Sequence, residues 1–188
     1  MTSKHSDLGP SDWVRRWSPL VPTGARVLDV ACGSGRHARW FAARGAQVTA
    51  LDRDAPALAA LRVLPDASVE VVLADIENAP WPLAGRRFDA VVVTNYLWRA
   101  LWPELLESVD DGGVLIYETF AHGNETVGKP SNPDFLLRPG ELLAATQGLR
   151  VIAFEDGFVA EGSQRFVQRV VAVRERPLAT APPRYPLP

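Results

Sequence analysis

Three aspartates stand at even intervals in the first half of the chain. Asp29 lies in VLDVACGSG, Asp52 ends VTALD and Asp75 ends VVLAD, 23 residues from the first to the second and 23 from the second to the third. Each comes at or near the end of an apolar run, and one strand-helix-strand unit has roughly that length. Between the first two lies Gly33-Ser-Gly35-Arg-His-Ala38, the loose nucleotide-binding spelling G-x-G-x-x-G/A. In such a turn the glycines let the backbone approach a ligand at a helix N-terminus, and an acid roughly 20 positions on accepts hydrogen bonds from ribose hydroxyls. Asp52 has that distance from Gly33. These two features alone fit a dinucleotide as well as any other nucleoside.

Asp29 separates the two. A carboxylate near the end of the first strand, just before the glycines, would repel a pyrophosphate, whereas a ligand with a cationic amino acid portion would welcome it. S-adenosylmethionine has a sulfonium, an ammonium and a ribose, and no phosphate. On that reading Ala31, Gly33 and Gly35 belong to the turn that admits the amino acid portion. Asp52 takes the ribose hydroxyls, and Asp75 meets the adenine amino group with Arg53 and Ile76 flanking the ring. In an open α/β sheet ligands bind outside the carboxyl ends of the strands, so the three acids would share one crevice.

The elements that must place these residues are readable from apolar periodicity. SDWVRRWSPLVP predicts a short helix capped by Ser11 or Asp12, with Trp13, Val14, Trp17 and Leu20 near helical spacing. ARVLDVAC, QVTALD, VEVVLAD, RFDAVVVTN and GGVLIYETF predict five strands, the last entered through Gly112-Gly113. RHARWFAARG, with Gly45 as its stop, and APALAALRVL predict the intervening helices, followed by WPELLESV and then GELLAATQ with Gly148 as its stop. Continuous Val-rich runs are what strands covered on both faces look like. LRVIAFEDGFV and RFVQRVVAVRER predict a closing antiparallel hairpin across AEGSQ. The expected architecture is α/β in three layers: a doubly wound, Rossmann-like, mostly parallel sheet of seven strands with a C-terminal antiparallel hairpin. One domain is expected over residues 9–176. Residues 177–188 have five prolines in twelve positions and read as an extended tail.

VLDVACGSG, the acid ending the second strand, AD ending the third, and FDAVVVTN followed by GGVLIYE together resemble the successive motifs of class I S-adenosylmethionine-dependent methyltransferases. The resemblance covers about residues 20–175, and the terminal hairpin is similar to that family's antiparallel last strand. Within the family, CGSGRHARWFAARGAQVTALDRD resembles the small bacterial tellurite-resistance-related group. The resemblance implies that Asp29, Gly33, Gly35, Asp52 and Asp75 hold the cofactor, and that Asn95 lies near the transferred methyl group. TNYLWR replaces the N/D-P-P-Y signature at that place, which argues against the enzymes that methylate nucleic acid amino groups.

Further candidates follow the fourth and fifth strands. Asn95, Tyr96, Glu118 and His122 are the catalytic candidates, with Glu118 as a base or an orienting group and His122 as a base. Tyr96 and Arg99 stand between ligand contact and structural duty, and Trp102 reads as a packing residue. His37, in the first turn after the glycines, faces either crevice or solvent. AHGNETVGKPSNPDFLLRP, residues 121–139, reads as a long loop of the kind that covers active sites. Cys32 reads as a packing residue, and its solitude rules out an internal disulfide. No histidine spacing suggests a metal.

The bulk numbers set the remaining limits. A net charge of −2 provides no broad basic face for nucleic acid, so a small-molecule acceptor is expected. The polar start and the lack of an apolar run of roughly 20 residues predict a soluble cytoplasmic protein with no membrane partner. Methyl transfer from S-adenosylmethionine is therefore the leading reading. A non-catalytic S-adenosylmethionine-binding module is the first rival, and an NAD-dependent oxidoreductase the second.

Overall fold

Apolar residues run almost unbroken through the central strands because helices cover both sides of the sheet. In β4 (Phe88–Thr94) Ala90 and Val92 enter one core cluster while Val91 and Val93 enter the other. In β5 (Val109–Phe120) Val114 and Ile116 alternate with Leu115 and Tyr117 in the same way. This computed structural model describes residues 9–62, 68–176, 181 and 183–188.

With β1 (Arg26–Val30), β2 (Gln47–Asp52), β3 (Val69–Leu73), β6 (Arg150–Val159) and β7 (Arg165–Val173), the sheet has seven strands in the order β3-β2-β1-β4-β5-β7-β6. The first five in chain order run parallel, and β7 pairs antiparallel with both β5 and β6. One layer holds α1 (Asp12–Trp17), α2 (Arg36–Ala42) and α3 (Ala55–Arg62), the other α4 (Trp102–Glu107) and α5 (Glu141–Ala145). The expected doubly wound sheet with a closing hairpin is the observed one.

Boundaries differ where proline, capping or register decides. Ser11, not Asp12, caps α1 by accepting the Val14 N–H at 3.1 Å, and the helix gives way at Ser18-Pro19 to a single 3-10 turn. The fifth strand starts at Val109 rather than at the glycines, because Val109 already pairs with Phe88. A register shift between Phe88 and Ala90 absorbs the extra residues. Gly113 is required there: a Cβ would sit 2.8 Å from the carbonyl oxygens of both Asp110 and Phe88.

The expected loop 121–139 contains two 3-10 turns, Asn124–Thr126 and Pro133–Phe135, and Ala121 bridges Leu137. Val63 and Leu64 of the expected third helix, and residues 177–180 and 182 of the tail, lie outside the described residues. Tyr185 of the tail packs on the core, with the Arg150 guanidinium 5.4 Å from its ring centre. No described helix is long and apolar enough to cross a membrane.

Candidate functional site

Strand β1 has β2 on one side and β4 on the other, so the chain's winding reverses between β1 and β4 and a crevice opens at their carboxyl ends. A cleft of about 380 Å³ lies there. The first residue beyond β1, Ala31, and the first beyond β4, Asn95, both line it and both have positive φ, 51° and 55°. Asparagine tolerates that conformation, whereas for alanine it costs about 1 to 2 kcal/mol. Two such residues side by side at a cleft mark a place where the backbone is held out of its preferred shape.

One half of the cleft is charged. Asp52 Oδ2 accepts the Gly33 N–H at 2.7 Å and Oδ1 the Asp54 N–H at 2.8 Å, leaving each oxygen a further lone pair toward the cleft. Asp75 accepts from Asn78 Nδ2 at 2.9 Å and from the Glu77 N–H at 3.0 Å, and these bonds hold its carboxyl below the usual carboxylate range. Arg53 and Glu77 pair at 3.1 Å, and Ile76 lines the same wall. Beside them burial, with the Glu77 carboxylate adding to it, keeps the Tyr96 hydroxyl protonated.

Asp29, Gly33 and Gly35 lie behind this wall rather than on it. Asp29 is 1% exposed, with Oδ2 accepting the Ala38 N–H at 2.9 Å and Oδ1 unpartnered among the described residues. Burial pushes its carboxyl up to about 7. The two glycines serve different ends. Gly35, at φ 77°, starts α2 where a Cβ would strike the Leu61 side chain at 2.4 Å, so its role is close packing. Gly33, at φ 55°, has open space where a Cβ would go, which suits close approach of a ligand.

Of the catalytic candidates, Asn95 and Tyr96 line the cleft, while Glu118 and His122 do not. Glu118 is buried in an ion pair with Arg169 of β7, which also binds Glu155 at 3.0 Å. That partner comes from 51 residues downstream, beyond reach of local pattern reading. His122 falls just past the strand end, where the chain turns outward; its side chain is 73% exposed beside Glu125. His37 faces neither crevice nor solvent. Its Nε2 accepts the Ser11 N–H at 3.2 Å and its Nδ1 lies 3.4 Å from Thr94 Oγ1, and burial pushes its pKa down to about 3.

Arg99 is a staple. It donates to both Glu141 carboxylate oxygens at 2.6 and 2.9 Å and to the carbonyls of Asp134 and Leu136 at 2.7 and 2.9 Å, tying the long loop to α5. Trp102 stacks on Tyr117 at 5.1 Å. Cys32 is buried and burial raises its thiol pKa. Among the described residues no cluster of three metal-ligating side chains occurs. The cleft also recruits Glu77, Leu97, Thr119, Phe120, Pro130 and Phe135, which sequence reasoning missed. Glu77 follows Asp75 by two residues and Thr119-Phe120 end the fifth strand, so a wider reading of strand ends would have found them. Pro130 and Phe135 carry no such signal.

A family model described as a methyltransferase domain matches residues 27–112. The chain is 38% identical over 108 residues to a malonyl-[acyl-carrier protein] O-methyltransferase of Enterobacter lignolyticus, covering 52% of this chain and 39% of that protein. It is 40% identical over 108 residues to an uncharacterized methyltransferase of Mycobacterium bovis, covering 54% of each. The chain thus spans about half or less of the length of these relatives. TehB from Haemophilus influenzae superposes with a TM-score of 0.70 at 20% identity, over 87% of this chain and 62% of that one. An S-adenosylmethionine-dependent methyltransferase from Mesorhizobium loti does so with 0.66 at 19% identity, over 84% and 95%. Residues 27–112 thus match a methyltransferase domain, and the chain shares its fold with solved S-adenosylmethionine-dependent methyltransferases.

Proposed function

We propose that the cleft binds S-adenosylmethionine in its charged half and that the chain transfers the methyl group to a small-molecule acceptor. The observation that supports this most is the presence of Asp52 and Asp75 past the ends of β2 and β3 together with a buried Asp29 behind the glycine turn, one of whose carboxyl oxygens has no partner among the described residues. Asp52 would hold the ribose hydroxyls and Asp75 the adenine amino group, with Arg53 and Ile76 against the ring. Ala31 and Gly33 would let the amino acid portion lie along the backbone. Asp29 beneath them would stabilise its positive charge, and it would oppose the pyrophosphate of a dinucleotide.

The cofactor supplies an electrophilic methyl carbon on a positively charged sulfur. The chain's part is to hold donor and acceptor in line and to exclude water. Asn95 stands at the junction of the two halves, and the protonated Tyr96 is equipped to donate a hydrogen bond rather than to take a proton. Catalysis is favoured over mere binding because the cleft extends past the charged half to Thr119, Phe120, Pro130 and Phe135. The acceptor is open among small molecules, and the acyl class for which the Enterobacter relative is named is one of them.

A methyl-transfer screen with labelled S-adenosylmethionine across small molecules, peptides and RNA tests this reading. Transfer to a small molecule is expected. Tight cofactor binding with no transfer to any class would favour the binding module instead.

A further inference from the structure

The two halves of the cleft differ in kind. Among the described residues every formally charged side chain on its wall, Asp52, Arg53, Asp75 and Glu77, comes from the ends of β2 and β3 or just beyond them. The β5 end and the long loop contribute Thr119, Phe120, Pro130 and Phe135, with no titratable group among them. Sequence order brings charged residues close to that second half, yet none lines it: Lys129, beside Pro130, is exposed and bonds Ser131 Oγ at 2.8 Å, and three others are held elsewhere. Glu118 is neutralised by Arg169, Arg99 is spent on Glu141 and two loop carbonyls, and His122 turns outward.

We infer that the acceptor is an uncharged, mainly apolar, aromatic-sized molecule whose attacking nitrogen or sulfur already carries a free lone pair. This rests on the charged half holding the cofactor. A carboxylate or phosphate acceptor would lose its hydration against Phe120, Pro130 and Phe135 and gain no cation there, and desolvation of an unpaired charge is heavily unfavourable. The one arginine on the wall is already paired with Glu77. An acceptor that must first lose a proton would find no base on this side among the described residues, since Tyr96 is held protonated and the carboxylates lie on the other side.

The lone pair of the acceptor forms the new bond to the methyl carbon while the carbon–sulfur bond breaks, and that electron pair returns to sulfur. The acceptor leaves with the methyl group and one positive charge, or sheds a proton to water afterwards. Nothing in the exchange requires an oxidant, a metal or a protein base.

Ligand-observed saturation-transfer NMR on the full chain saturated with S-adenosylhomocysteine tests the inference. The probes are neutral aromatic compounds such as quinoline and benzyl mercaptan, their carboxylated counterparts, and a malonyl thioester. The neutral members are expected to bind, and to bind at least about tenfold more tightly than their carboxylates, a difference of about 1.4 kcal/mol. Phe135→Asp, at a half-exposed position in the loop, should abolish most of that binding, with retained S-adenosylhomocysteine affinity as the check on folding. Carboxylates binding as well as their neutral partners, or neutral compounds that do not bind at all, would overturn it. Failure of S-adenosylhomocysteine itself to bind would count against the cofactor reading instead.

Discussion

Asp29 on β1 accepts the N–H of Ala38, the residue after His37 on α2, and both Asp29 and His37 are buried with their pKa values shifted in opposite directions. His37 has its pKa lowered to about 3 from 6.5, so the unfolded chain takes up the proton first as the pH falls. Its share of stability is therefore complete above 6.5 and is lost progressively toward 3. Asp29 is raised to about 7 from 3.8, so its share is complete below 3.8 and is lost as the pH rises through 7. Arg36 and Asp52 act on the Asp29 carboxyl with opposite signs, and burial outweighs both. Asp29→Asn keeps an acceptor for the Ala38 N–H and removes the charge. Its stability relative to wild type, followed by urea denaturation, should improve by at least about 1 kcal/mol between pH 4 and pH 7, since each tenfold change in proton affinity between the folded and unfolded chain is worth about 1.4 kcal/mol. A difference that is flat with pH would contradict this. His37→Gln should show the mirror image, losing less stability than wild type on acidification below 6.5.

The glycines of the turn also separate at this scale. Gly35→Ala must accept both a positive φ and the Leu61 contact, which together should cost about 2 kcal/mol or more. Gly33→Ala has room and should cost about 1 kcal/mol, while its methyl group projects into the space assigned to the cofactor and should weaken S-adenosylhomocysteine binding. Thermal denaturation and calorimetry on the same two variants read the contrast.

At the scale of elements, two arginines decide how the apolar side of the cleft is held. Arg169 crosses from β7 to Glu118 on β5, immediately before Thr119 and Phe120. Arg169→Leu would leave the Glu118 carboxylate buried and unpaired, a loss of about 3 kcal/mol measurable by denaturation. Arg99→Ala should instead leave global stability close to wild type and loosen the loop, seen as faster hydrogen exchange at the Leu136 to Glu141 amides and earlier proteolysis within 121–139. These are also the places where sequence reading fell short. Strand ends and helix starts follow from local periodicity, so Asp52, Arg53, Asp75, Ile76 and Asn95 could be placed on the cleft from the chain alone. Glu118 and Arg99 could not, because their roles are set by partners 51 and 42 residues away. The β5 start shifted for a related reason: a pairing with Phe88 outweighed the turn signal of Gly112-Gly113.

For the whole molecule, the order of strands turns a sequence of regularly spaced acids into a two-sided cleft. Parallel winding brings the ends of β3, β2 and β1 to one side of the switch point, and the ends of β4 and β5 to the other. The acids arrive together because they recur once per strand-helix-strand unit, whereas the apolar wall is assembled from a strand end and two loop turns whose spacing follows no repeat. That is why the charged half of the cleft was legible in the sequence and the apolar half was not. Isothermal calorimetry with S-adenosylhomocysteine on the wild type and on Asp52→Ala tests the cofactor assignment most directly. The wild type should bind, and the variant should bind at least about tenfold more weakly through loss of charge-assisted ribose hydrogen bonds of about 1.5 to 3 kcal/mol. No binding by folded wild-type protein, or equal binding by both, would contradict it.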